Sequence, residues 1–193
     1  MYTEFEATFA NVSQAEARKR LVKAGAKLVK PEFLMKRITF NLPVGNELSG
    51  GWLRVRDEGD QITMSLKIID GKNITDQREI CLKVDDFNQA VELLEFMGAR
   101  RKAYQESRRE IWHLNNVEIC LDEWPYLEPF VEVEGQGEAE VKDVSQKLGF
   151  DYNQAQFGAV SLLYNKKYSL SEDEINNNIA RITFDEPNPF RQR

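Results

Sequence analysis

The feature that most constrains this chain is a repeated two-residue alternation in which one strand face is apolar and the other charged. In "EFEATF", Glu4, Glu6 and Thr8 share one face of an extended segment and Phe5, Ala7 and Phe9 the other, because successive strand side chains point to opposite sides. "FLMKRITFNLP" sets Arg37, Thr39 and Asn41 against Ile38, Phe40 and Leu42. "WLRVRDEGDQITMSLKII" reads as a hairpin turning at Glu58-Gly59-Asp60. Its arms set Arg54 and Arg56 against Leu53 and Val55, and Thr63, Ser65 and Lys67 against Ile62, Met64, Leu66 and Ile68. "ITDQREICLKV" sets Gln77, Glu79 and Cys81 against Ile80 and Leu82, with Arg78 breaking the apolar side.

"KAYQESRREIWHL" and "VEICLDEW" form a second hairpin, turning at Asn115-Asn116. Here Glu118, Cys120 and Asp122 oppose Ile119 and Leu121. "EPFVEVEG" sets Glu132 and Glu134 against Val131 and Val133. The weakest alternation is in "SRREIW", where Ser107 and Arg109 share one face and Arg108 and Glu110 the other.

Helices are expected between these strands. "NVSQAEARKRLVKAG" has Ser13 as a cap, Glu16 at capping-box spacing and Gly25 as a stop. "DDFNQAVELLEFMGA" is capped by Asp85 or Asp86, with Leu93, Leu94 and Met97 on its apolar side. "EAEVKDVSQKLGF" and "QAQFGAVSLLYNKKY" read as two more helices. The expected fold is α+β: an eight-stranded antiparallel β-barrel, or tunnel, with helices packed outside. It occupies residues 1–170. Residues 171–193 form a C-terminal tail with a short helix and a strand near Arg181 to Phe184, serving as a lid or an oligomer contact.

A polar strand face is ordinarily wet, but here the charges are sorted by sign. Arg37, Arg54, Arg56 and Lys67 lie on consecutive strands, and Glu4, Glu6, Glu118, Asp122, Glu132 and Glu134 lie on strands that adjoin if the barrel closes. Guanidinium groups match phosphate oxygens with paired donors. Clustered carboxylates are hard oxygen ligands suited to Mg²⁺ or Mn²⁺. Together they imply a polyanion bound beside a divalent cation. No P-loop or dinucleotide-binding glycine pattern is present in the sequence.

Composition narrows the remaining choices. The net charge of −6 argues against broad nucleic-acid binding. No apolar run approaches the ~20 residues of a membrane span. Cys81 and Cys120 have neither metal spacing nor a disulfide framework, so a cytoplasmic, reducing location is expected. His113, beside a turn, reads as a surface residue, and Trp52, Trp112 and Trp124 as packing at strand ends.

The ordered set of motifs resembles the CYTH domain, the fold of the triphosphate tunnel metalloenzymes, over about residues 2–165. "EFEAT" is similar to the N-terminal ExExK signature, "LRVRD" to the paired-arginine strand and "SLK" to the lysine strand. "REI" resembles the strand with an inward glutamate, here Glu79, and "SRREIW" the lysine-x-arginine strand. "VEICLDE" and "VEVEG" resemble the last two strands. The resemblance implies a tunnel that binds a small triphosphate or nucleotide through Arg54, Arg56, Lys67 and Arg109, with Arg37 added by the alternation. It implies Mg²⁺ or Mn²⁺ on Glu4, Glu6, Glu132 and Glu134, with Asp122, and catalytic roles for Glu4, Glu6 and Glu134. The expected activity is hydrolysis of inorganic triphosphate, a nucleoside triphosphate or thiamine triphosphate, by a monomer or homodimer. The alternatives are a class IV adenylate cyclase and a non-catalytic triphosphate-binding barrel. Thr8 and Ser107 stand where the resemblance expects lysines.

Overall fold

The computed structural model of the chain describes residues 1–191. The N-terminal strand is broken at Glu4 into β1 (Tyr2–Thr3) and β2 (Phe5–Phe9). These are followed by α1 (Gln14–Ala24), β3 (Lys27–Asn41), β4 (Gly51–Asp57), β5 (Ile62–Ile69), β6 (Gln77–Val84) and α2 (Phe87–Phe96). Then come β7 (Arg100–Leu114), β8 (Val117–Glu123), β9 (Phe130–Gly135) and α3 (Glu138–Lys147). The chain ends with α4 (Ser161–Tyr168), α5 (Glu172–Asn178) and β10 (Arg181–Ile182).

The strands run in the order β1-β6-β5-β4-β3-β7-β8-β9-β2. Because β1 pairs with β6 and β2 with β9, the two edges of the sheet meet at Glu4. An antiparallel, nearly closed barrel results. The expected eight strands become nine around the ring only because the first is split. Gln77 bridges the break: its carbonyl accepts from the Glu4 amide at 2.9 Å and its side-chain amide donates to the Glu6 carbonyl at 3.0 Å.

The apolar strand faces point outward, as the alternation predicts, and helices cover most of them, although Ile80 and Leu82 of β6 stay exposed. Ala7, Phe9, Ile119, Val131 and Val133 pack against Ala17 and Leu21 of α1 and Val141 and Val144 of α3. Ile38, Phe40 and Val55 pack against Ala90, Val91 and Leu94 of α2. Phe87, Ala90, Val91 and Leu94 are the i, i+3, i+4, i+7 face of that helix. Leu93 and Met97, expected on its apolar side, are exposed instead. Asp86 caps α2, its carboxylate accepting from the Gln89 amide at 2.8 Å. Ser13 precedes α1 without making a side-chain cap bond, and Glu16 pairs with Arg20 instead. Gly25 ends α1 at φ 81°, a left-handed C-cap that favours glycine.

Two segments differ from expectation. β3 begins ahead of "FLMKRITFNLP", at Lys27, and accommodates Pro31 where its pairing with β7 slips between Lys30 and Phe33. Proline lacks the ladder N–H and is tolerated at such irregularities. The helix expected over "QAQFGAVSLLYNKKY" is confined to α4. Gln156 pairs its backbone with Thr8, N to O at 2.9 Å in both directions, and Gly158 sits at φ 143°, which no helix admits.

The C-terminal residues close one end of the barrel. β10 runs parallel to β7, with Ile182 opposite Gln105, where β8 no longer accompanies β7. Tyr164, Ile175, Ile179, Ile182 and Phe190 pack on Trp124 and Phe130. Trp124 and Phe130 continue the inward-facing rows of β8 and β9. Among the described residues no helix is long and apolar enough to cross a membrane.

Candidate functional site

The polar strand faces converge in the lumen. Ladder pairing sets the acidic strip: Glu6 lies opposite Glu134, which lies opposite Glu118, and Thr8 lies opposite Glu132, which lies opposite Cys120. Across the barrel, Arg37 lies opposite Arg56 and Thr39 opposite Arg54. Lys67 lies opposite Glu79 and Arg109 opposite Asp122. The charges are mostly buried: Glu4, Arg37, Arg54, Glu79 and Asp122 each have 9% or less of their surface exposed.

Burial forces internal pairing. Lys67 Nζ meets Glu4 at 2.9 Å, Arg54 Nη2 meets Glu79 at 3.0 Å and Arg56 Nη2 meets Glu58 at 2.6 Å. Arg109 donates to Asp122 from Nε at 2.8 Å and from Nη2 at 2.6 Å, and also from Nη2 to Glu132. Asp122, expected among the metal ligands, thus has both oxygens on Arg109. Arg37 donates to Ser107 Oγ, and its guanidinium lies 4.3 Å from the centre of the Trp124 ring.

The carboxylates divide into two electrostatic groups. Glu79 is buried, yet Lys67 and Arg54 hold it down at about 2. Glu132 is likewise held below the usual carboxylate range, against its burial, by Arg109. Glu4 goes the other way: burial outweighs Lys67 and pushes it up to about 7. Burial and the nearby Glu132 push Glu6 well up, and burial also raises Glu134. Burial lifts Asp122 to about 7 despite Arg109. Burial raises Glu4, Glu6 and Glu134 because too few partners stabilise the charged form of each, a role that a bound cation fills. The strip of Glu4, Glu6 and Glu134 is therefore suited to a small hard cation with oxygen ligands. Among the described residues no three His, Cys, Asp or Glu side chains are gathered at metal-ligand spacing.

Glu58 belongs to this lumen, although as a turn residue it carried no functional expectation. It is 6% exposed and accepts from Arg56, Gln61 and Thr63. The signal was available, since Arg54, Arg56 and Glu58 have the same parity. Cys120 is buried and Cys81 half-buried, both free. His113 is exposed beside Glu118 at 3.4 Å.

A nearly closed antiparallel barrel with buried, opposed walls of cations and carboxylates defines a protein built to hold charge inside its sheet. The sequence matches the CYTH domain family over residues 11–163. The chain belongs to that family. Comparison with curated proteins returns no match. Among solved structures, the PH1012 protein of Pyrococcus horikoshii is 23% identical, with a TM-score of 0.69 over 83% of this chain and 98% of that one. A candidate adenylate cyclase from Vibrio parahaemolyticus is 12% identical, with a TM-score of 0.71 over 84% and 98%. A candidate adenylyl cyclase from Hippeastrum, described as revealing a dominant triphosphatase activity, is 12% identical, with a TM-score of 0.55 over 87% and 97%. At these identities the likeness is one of fold.

Proposed function

We propose that the lumen binds a small triphosphate and that the protein hydrolyses it with Mg²⁺ or Mn²⁺. The observation that carries this reading is the cation wall of buried Arg54 and partly buried Arg56, Lys67 and Arg109 facing carboxylates of raised proton affinity. Glu4, Glu6, Glu132 and Glu134 would hold the cation, with Asp122 behind them on Arg109. A bound divalent cation supplies Lewis-acid polarisation of the phosphate oxygens. A polyanion and a cation entering together would exchange the internal ion pairs for pairs with the ligand.

In that exchange Arg54, Arg56 and Arg109 offer forked donors to phosphate oxygens, and Lys67 offers a point charge. Once paired with the ligand and held by the sheet, they stabilise charge on the transferring phosphoryl group. Glu4, Glu6 and Glu134 are the carboxylates assigned to orienting the attacking water beside the cation. Thr8 and Ser107 carry no ammonium, so proton handling falls to the carboxylates. The same two residues favour the second reading, a triphosphate binder without turnover.

Phosphate release from inorganic triphosphate, ATP and thiamine triphosphate with Mg²⁺ or Mn²⁺ tests the proposal, with a chromatographic search for cyclic AMP. Glu6→Gln and Glu132→Gln are expected to abolish release. Release undiminished in both variants would overturn the metal assignment, and tight binding without product would favour the second reading.

A further inference from the structure

Most lumen cations have their own carboxylate, and Arg37 is the exception. Lys67, Arg54, Arg56 and Arg109 are each paired, but among the described residues no carboxylate lies within ion-pair distance of the Arg37 guanidinium. It is 5% exposed. It donates to Ser107 Oγ, has its guanidinium carbon 4.3 Å from the centre of the Trp124 ring, and leaves its buried Nε without a partner. Burying an unpaired charge is expensive, and a guanidinium does not escape by losing its proton. Burial and the neighbouring Arg56, Arg54 and Arg109 all work against this charge. Behind it, Trp124 packs with Tyr164, Ile182 and Phe190 of the C-terminal segment.

We propose that Arg37 and Ser107 form an anion-anchoring subsite at the Trp124 end of the lumen, where the free Nε–H donates to an oxygen of the bound triphosphate. This rests on the triphosphate reading above. The subsite also gives Ser107 a role. A lysine at 107 would place its ammonium against the Arg37 guanidinium, and the two cations could not both be buried there. Arg37, reaching across from β3, supplies the charge that a lysine on β7 would otherwise bring. The C-terminal segment belongs to the subsite because it holds the Trp124 ring on which Arg37 rests.

The test titrates inorganic triphosphate into the full chain by calorimetry, in EDTA and again in Mg²⁺, with phosphate release followed in parallel. Arg37→Met is expected to weaken binding at least tenfold, and the Arg37→Met/Ser107→Lys double variant to recover most of the loss. Arg37→Lys keeps the charge but gives up the Nε–H, so it is expected to bind several-fold more weakly while retaining the fold. A structural role alone would not produce the rescue. If wild type binds triphosphate and Arg37→Met and Arg37→Lys bind it equally well, the subsite is overturned while the reading of the lumen stands. Failure of the double variant to recover binding, with the fold intact, also overturns the subsite. If wild type binds no triphosphate under either condition, both are overturned.

Discussion

Arg109 grips Asp122 with two nitrogens at 2.8 and 2.6 Å while the second of them also reaches Glu132. One guanidinium on β7 therefore organises acids from two successive strands, β8 and β9. It keeps Asp122, which is 0% exposed, from being an isolated buried acid.

Arg109→Met should consequently destabilise the protein by about 3–5 kcal/mol, the usual cost of stranding a buried partner. Arg109→Lys keeps a charge but not the fork, and should fall between it and wild type. Urea unfolding measures both, and a loss below about 1 kcal/mol in Arg109→Met would show that the two acids are not held by this group.

Stability should fall with rising pH in the absence of divalent cations. Glu4 has its folded pKa raised to about 7, so the folded state binds more protons than the unfolded state between about 4.5 and 7. Its stabilising contribution is complete below that window and lost across it. A loss on the order of 3 kcal/mol follows for a shift of this size. Melting in EDTA from pH 5 to 8 should show the decline, and Mg²⁺ should reverse it at pH 8. A flat EDTA profile would contradict the raised proton affinity. Glu79, held at about 2, acts oppositely: its contribution is present above the ordinary carboxylate range and lost as pH falls through about 2.

Glu110 should matter for stability and not for ligands. It lies on the outer face of β7, 6% exposed, where Arg18 donates from Nε at 3.1 Å and Nη2 at 2.9 Å and Trp112 donates from Nε1 at 2.6 Å. Glu110→Ala leaves the buried indole N–H unpaired and should cost about 1–3 kcal/mol. Triphosphate affinity should stay unchanged in the same variant, as calorimetry would show.

Phe190 should prove part of the folded body. Its ring stacks on Tyr164 at 4.3 Å and Tyr168 at 4.9 Å between centroids. Phe190→Ala should cost about 3–5 kcal/mol by thermal or denaturant unfolding. An unchanged midpoint would mean that the tail contributes little to the cluster on Trp124.

The lumen was legible because period-two alternation survives in almost every strand and needs no knowledge of the partner strand. Glu110 was not, since a buried glutamate on an apolar face looks like a broken pattern until Arg18 and Trp112 are seen around it. Leu93 was misplaced because α2 offers two plausible apolar stripes, and only its packing on β4 selects Ala90, Val91 and Leu94. The irregular path before α4 depends on Gln156 meeting Thr8, a contact about 150 residues apart in the chain. The pairing of Arg37 with Ser107 was equally hidden, because it crosses between strands that are far apart in sequence.

The break at Glu4 has a consequence for how the protein is made. Phe5 must pair with Gly135, and Tyr2 with Glu79. During synthesis, the earliest strand finds its second edge only after most of the barrel has been translated. Pairings of such long sequence separation are slow to form, and until then the opposing strand edges stay open to other chains. Barrel assembly should thus be gated by the docking of the β1–β2 segment, with the acidic wall the last part of the lumen to be completed.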